Sequence, residues 1–395
     1  MKKNKINKNY IVFGAPAIEE PEIKEVVKTL RSGWLGTGPK VAQFEKDVSG
    51  YVGAEFGMAL NSCTAGLHLS LLACGVGPGD EVITTPLTFC ATANSILHCG
   101  ATPVFVDVDL KTMNIDVSKI EKAITKKTKV ILPVHMAGRS CEMDKISKIA
   151  KKYNLRIIED AAHALGTEYK GKKIGSLSDL TCFSFYVTKN IVTGEGGMVT
   201  TNNKEFADKI KIYGLHGMSK DAWKRYSDTG YKHYEVIYPG FKYNMMDIQA
   251  SIGIHQLKRI GKYDKLRKKV WDFYNRELAS LPLILPSPDE PNTKHAMHLY
   301  TVLVDKERAG ISRDQFMQEL HLRGIGTGVH FNPVHLHKYY REKFGYKPGD
   351  YPNAEYIGER TVSLPLSSKL TMRDAKRIVG AIKEILLNKK ISNLI

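Results

Sequence analysis

Apolar positions in the first half of the chain fall in short unbroken runs, at residues 56–60, 81–84, 103–106, 130–134, 155–158, 180–186 and 197–201. Runs rich in Val and Ile without polar alternation predict strands buried on both faces. Between many of them lie segments with helical spacing, among them 66–73, 117–124 and 143–152. Such alternation predicts an α/β domain with a mostly parallel seven-stranded sheet covered by helices on both sides.

The pattern changes after about residue 255. Leu266, Val270 and Phe273 are spaced as on one long amphipathic helix over 264–278. The proline-rich stretch PLILPSPDEP at 282–291 cannot be a helix interior. Beyond it, 298–304 predicts a strand, 313–323 a helix, and Thr371 opens a last helix carrying Ile378, Ile382 and Ile385. A chain of 395 residues exceeds the size at which one core stops growing. The expected division is a large α/β domain with an amino-terminal arm over 1–255 and a smaller α+β domain over 256–395.

Composition narrows the class. With 43% hydrophobic and 25% charged residues, the chain is neither disordered nor fibrous. Its most apolar stretch, 58–76, is interrupted by Asn61, Ser62, Thr64 and His68, so no membrane span is expected. The basic amino end, MKKNKINKNY, is followed by no apolar run and does not read as a secretory signal. The net charge of +17 is spread among acids, with its densest clusters at the two termini and over 258–269. That distribution fits a solvated lysine-rich surface better than a nucleic-acid site. Cys63, Cys74, Cys90, Cys99, Cys141 and Cys182 show no CxxC and no metal-like spacing, as expected of reduced thiols in a cytoplasmic protein.

Chemistry concentrates in three windows. In DLTCFSFYVTKNIVTGEGGMVT (179–200) a buried strand leads to Lys189 and a glycine-rich turn. Sites in parallel sheets form at the carboxyl ends of strands. A lysine there among apolar neighbours suits Schiff-base chemistry, although this window alone fits a surface lysine better. In RIIEDAAHALG (156–166), Asp160 stands at a strand's carboxyl end and His163 just after it. Pyridoxal phosphate needs a lysine at its aldehyde and a carboxylate at its ring nitrogen. Asp160 equally suits a helix N-cap, and His163 a packed helix-surface position. In ALNSCTAGLHLSLL (59–72), Thr64 and Ala65 open a helix, as an anion site or as ordinary capping residues. Phe89 in TTPLTFCATAN is placed to lie on a pyridine ring or to fill a core. His330, His335 and His337 come without cysteines or clustered carboxylates, so no metal is expected there.

Taken in order, ALNSCTAGLHLSLL, GVGPGDEVITTPLTFCATAN, GATPVFVDVD, IIEDAAHALG, FSFYVTKNIVTGEGGMV, KYNMMDIQASIGIHQL and GIGTGVHFNPVHLH resemble the DegT/StrS-type nucleotide-sugar aminotransferases. The likeness runs from SGWLGTGPKVAQFE (32–45) to SLPLSSKLT (363–371). It implies the fold-type I aminotransferase architecture, a homodimer and pyridoxal 5'-phosphate, with the pyridoxamine form as intermediate. It further implies transfer of an amino group from L-glutamate, which leaves as 2-oxoglutarate, to a keto carbon of a nucleotide-linked sugar. By this resemblance Lys189 is the Schiff-base lysine and Asp160 the partner of the ring nitrogen. Phe89 stacks on the ring, and His163 contacts its face or phenolic oxygen. Thr64, Ala65 and Ser184 contact the phosphate, and Asn244 reaches the phosphate in the partner subunit. His330 and His335 stand near substrate at the mouth.

Two positions depart from the common pattern. Cys63 stands where many members have glycine, and Met297 where tryptophan is frequent. Related dehydratases carry histidine at the lysine position, whereas this chain has Lys189. Sulfur-abstracting relatives need a late cysteine, and none follows Cys182. A DNA-reading module has no room ahead of residue 32. Similarity of the motifs to those of 4-amino-sugar makers implies amination of a UDP-4-keto sugar for amino-sugar or polysaccharide precursors, ahead of a 3-keto or a dTDP- or GDP-linked substrate. A non-catalytic regulatory relative would not need both Lys189 and Asp160.

Overall fold

A computed structural model describes residues 10–219 and 234–392. Most of the basic amino-terminal decapeptide lies outside the described residues, as do the last three residues of the basic carboxyl end. Thirteen strands are present among the described residues. They are β1 (Phe56–Leu60), β2 (Glu81–Thr84), β3 (Thr102–Phe105), β4 (Thr128–Ile131), β5 (Arg156–Asp160), β6 (Glu168–Tyr169) and β7 (Lys172–Lys173), then β8 (Leu180–Ser184), β9 (Gly197–Thr201), β10 (Leu283–Ile284), β11 (Thr293–Lys294), β12 (Tyr300–Val304) and β13 (Thr361–Leu364).

The large sheet has the order β1-β9-β8-β5-β4-β2-β3. Its β5–β8, β4–β5, β2–β4 and β2–β3 pairs are parallel, and β9 alone runs against its neighbours β1 and β8. Successive side chains of a strand face opposite sides. Accordingly Met58 and Leu60 enter one core and Ala59 the other, while Cys182 and Phe183 divide in the same way. Helices Pro39–Val52, Met143–Tyr153 and Asp247–Lys258 supply the first core, and Cys63–Ala73 and Lys204–Tyr213 the second. This is the α/β, fold-type I arrangement.

A second sheet, β10-β12-β13, has its own core with helices Ile260–Leu278, Arg313–Leu322 and Met372–Ser392. Ile11 joins this core, held by hydrogen bonds from its N–H to the Gly324 carbonyl and to its own carbonyl from the Gly326 N–H, both 2.8 Å. The long helix begins at Ile260, four residues before the apolar spacing signals it. Its basic run is not wholly a solvated face. Arg267 is 2% exposed, and its guanidinium donates to the carbonyls of Leu366 (3.0 Å), Met297 and His298 (both 3.4 Å). Burial lowers its pKa to about 10. The strand expected to reach Tyr186 ends at Ser184, and the proline-rich break contains the two-residue β10. A two-residue strand leaves no alternation to read.

Candidate active site

Strands β1, β2, β5 and β8 end on one edge of the large sheet, and the loops leaving them enclose a cleft of about 570 Å³. Thr64, Phe89, Asp160, His163, Ser184 and Lys189 all line it, and His330 reaches it from the second half of the chain. Three predicted residues are not brought there. Ala65 is buried behind the helix start, His335 is buried elsewhere, and Asn244 lines a separate groove with Trp34 and Thr37.

Local sequence explains these placements. Ser62 caps helix Cys63–Ala73, and its hydroxyl accepts the Ala65 N–H at 3.1 Å while its carbonyl takes the Gly66 N–H. The helix start therefore presents the N–H groups of Cys63 and Thr64 as its remaining donors. The glycine-rich turn has two steric duties. Gly194 adopts φ +85°, and a Cβ on Gly197 would stand 2.3 Å from the Ser62 carbonyl carbon. The first glycine of β9 thus lets that strand press the helix start into the cleft wall.

Asp160 is 5% exposed, and no helix follows it, which excludes the N-cap reading. Its Oδ1 accepts the Ala162 N–H at 3.1 Å and its Oδ2 the Thr92 hydroxyl at 2.7 Å. Burial raises its pKa, opposed by those two bonds and by the charge of Lys189. Glu159, its neighbour on the opposite face, accepts from Ser178, Thr181 and His135. The Cys141 N–H donates to His135 Nδ1 at 3.0 Å, so the proton on that ring sits on Nε2, which donates to Glu159. We therefore treat His135 as neutral, held so by burial, although its bond to the Glu159 carboxylate acts to raise its pKa.

Lys189 makes no ion pair among the described residues, and burial lowers its pKa to about 8, partly offset by the Asp160 carboxylate. The Cys63 thiol is pushed well above its usual range by burial and stays protonated. At physiological pH an amine with a pKa near 8 is still mostly protonated, but its neutral, nucleophilic fraction is far larger than that of an ordinary lysine. Phe89 is no core aromatic but 60% exposed, with Phe331 6.1 Å away. His163 sits in a turn rather than on a helix and is buried, with no hydrogen-bond partner for Nδ1. Its ring lies 4.5 Å from that of His298, whose Nδ1 is 3.0 Å from Asn190 Oδ1.

Thr88, Thr92, His298 and Phe331 line the cleft without having been singled out in the sequence. Thr88 and Thr92 carry a legible signal, hydroxyls one helical turn apart beside Phe89. His298 and Phe331 carry none, because they reach the cleft from distant loops. The predicted substrate residue His335 instead pairs with Glu355 at 2.9 Å.

Six buried or half-buried histidines, His68, His163, His295, His298, His330 and His335, have pKa values lowered by burial, to about 4 for His68 and His330 and about 3 for His295. A lowered histidine stabilises the fold above its unfolded pKa, and that contribution disappears as pH falls through the folded value. The raised carboxyls Glu45 and Asp160 act in the opposite sense but are fewer. The apo-protein's melting temperature is thus expected to fall steadily from pH 7 to pH 5. A flat profile would show that these rings are not buried neutral.

Comparison with known proteins agrees with this geometry. The chain is 50% identical over 378 residues to the spore coat polysaccharide biosynthesis protein SpsC of Bacillus subtilis, covering 95% of this chain and 97% of that one. It is 42% identical over 393 residues to the UDP-4-amino-4-deoxy-L-arabinose–oxoglutarate aminotransferase of Shewanella sediminis, covering 97% and 100%. The structure of the putative sugar aminotransferase Spr1654 from Streptococcus pneumoniae, in its PMP-form, superposes with a TM-score of 0.89 at 36% identity, covering 97% and 100%. The same protein is known in a PLP-form. Residues 16–383 match the pattern of one family throughout, and the chain belongs to the DegT/DnrJ/EryC1/StrS aminotransferase family, enzymes that use pyridoxal phosphate.

Proposed function

We propose that this enzyme moves an amino group from L-glutamate to a keto carbon of a nucleotide-activated sugar, C4 of a UDP-4-keto sugar, as a cytoplasmic homodimer making polysaccharide or amino-sugar precursors. The observation that carries the reading is the pairing in one cleft of Lys189, with its pKa near 8, and the buried carboxylate of Asp160. The choice of UDP and of C4 rests on the substrate named for the Shewanella relative. No helix among the described residues is long and apolar enough to cross a membrane.

The residues fit pyridoxal phosphate. The orphan Nδ1 of His163, the exposed ring of Phe89 and the donors at the Cys63–Ala73 helix start leave groups that a planar phosphorylated ring satisfies. When bound, the cofactor supplies an aldehyde that condenses with amines and a ring that takes up the electron pair left when a carbon loses its proton. Asp160 would hold a proton on the ring nitrogen. Thr64 and Ser184 would hold the phosphate, joined by Asn244 of the partner subunit. Lys189 Nζ takes the proton from the α-carbon of glutamate and later delivers one to the sugar carbon that becomes the amine carbon. Donor and sugar occupy the cleft in turn, so the kinetics should be ping-pong.

The homodimer draws support from an unpartnered apolar row. Ile23, Val27 and Leu30 are exposed at helical spacing on Glu20–Ser32, and Trp34 and Met246 extend the row toward Asn244. Within its own chain Asn244 donates to the Thr37 hydroxyl at 2.6 Å, outside the cleft. Asn244→Ala is expected to weaken cofactor binding about tenfold, the size of one charge-assisted hydrogen bond. Fluorescence titration of the apo-protein measures this, and a cofactor-loaded monomer in sedimentation would contradict the reading. Substrate identity is tested by incubating a panel of UDP-, dTDP- and GDP-linked 3- and 4-keto sugars with glutamate and weighing the products by mass spectrometry. Amination of the UDP-4-keto member is the expected result, and its absence beside amination of another member corrects the substrate.

A further inference from the structure

Asp160 does not stand alone at the cleft floor. Thr92 Oγ1 donates to its Oδ2 at 2.7 Å, and Thr88 Oγ1 lies 2.7 Å from Thr92 Oγ1. Both threonines are buried, at 2% and 0% exposure, and both border the cleft. A hydroxyl has one proton, and an ionised carboxylate only accepts. If Thr92 gives its proton to Asp160, Thr88 must give its own to Thr92. With the carboxylate charged the chain therefore has one direction, Thr88 to Thr92 to Asp160, whereas a protonated Asp160 could also donate to Thr92 and reverse it.

We propose that Thr88 and Thr92 form a two-hydroxyl relay that fixes the orientation and the charge of Asp160, making them positioning residues for transamination. The inference rests on the assignment of Asp160 to the cofactor's ring nitrogen. Burial works against the carboxylate, and a donated hydrogen bond, stronger to the charged form than to the neutral one, opposes that cost. Thr92 reaches Asp160 from helix Cys90–His98, and Lys189 and His135 approach from the loops after β8 and β4. Cys63 and Cys182 face it as thiols from helix Cys63–Ala73 and from β8. Of these, only Thr92 and the Ala162 N–H donate a hydrogen bond to the carboxylate. With Thr92 removed, one oxygen loses its partner, and the group takes up a proton at higher pH than before.

The test uses 4'-deoxypyridoxine phosphate, which has the ring and phosphate but no aldehyde, so its binding does not depend on Lys189. Its dissociation constant for the apo-protein is measured between pH 5.5 and 8.5 in Thr92→Val, Thr88→Val, Thr92→Ser and Asp160→Asn. Thr92→Val keeps the side-chain shape and is expected to bind about tenfold more weakly. The acidic limit of binding should move to higher pH. Thr92→Ser should restore affinity to within about twofold, and Thr88→Val should fall between, because Thr92 keeps its bond to Asp160. Melting temperatures of the apo-variants separate a lost relay from a lost fold, and Thr88→Val carries the test if Thr92→Val does not fold. Wild-type affinity at every pH in both valine variants, with Asp160→Asn impaired, overturns the relay and leaves the role of Asp160 standing. Wild-type affinity in Asp160→Asn overturns both.

Discussion

Lys189→Ala should lower turnover by about 10⁴-fold, the upper range for loss of a positioned acid–base group, while leaving the melting temperature of the apo-protein close to that of the parent. The side chain makes no ion pair among the described residues, so its removal breaks no contact of that kind there. The loss falls on chemistry instead. With Lys189 gone, the remaining nitrogen bases around the cleft are His163, His298 and His330, held neutral by burial. None of them offers a flexible amine that reaches both carbons between which the proton must move. Steady-state assays with glutamate and the aminated sugar in both directions measure the effect. A variant within tenfold of the parent would remove Lys189 from the reaction.

Asp160→Asn should cost about 10²–10³-fold in turnover, the effect of removing one electrostatic partner from a dry site. The amide keeps the shape of the carboxylate but cannot hold a proton on the ring nitrogen by charge. The variant should still bind the cofactor, more weakly, through the helix start and the aromatic wall. Proton transfer from glutamate should then become the slow step, seen as an enlarged isotope effect with glutamate deuterated at the α-carbon. Near-normal turnover with an unchanged isotope effect would mean that Asp160 faces some other group.

The sequence carried the large sheet well because its strands are buried on both faces and so read as plain apolar runs. All seven appear, three at the expected bounds and the others shifted by one to three residues at an end. The helices Glu20–Ser32 and Asp247–Lys258 were not legible. The first exposes an apolar row beside its buried face, and the second is buried on most sides, so neither shows a single clean stripe. Arg267 went unread for a related reason. Its burial depends on carbonyls from residues 297, 298 and 366, which no local window contains. Within the cleft, Lys189, Asp160 and Phe89 were recognised only through the resemblance of their windows taken together, because each alone also suits a surface lysine, a helix cap or a core aromatic. His298 and Phe331 enter only through folding of the second half onto the first. His335 misled because a histidine close in sequence to His330 turns away after Pro333 and finds Glu355.

The most direct measurement is borohydride reduction of the protein loaded with pyridoxal phosphate, followed by proteolysis and mass spectrometry of the phosphopyridoxyl peptide. The account predicts a single modified residue, Lys189, and loss of that label when glutamate is added before the reductant. A label on any other lysine, or one that glutamate does not remove, would contradict it.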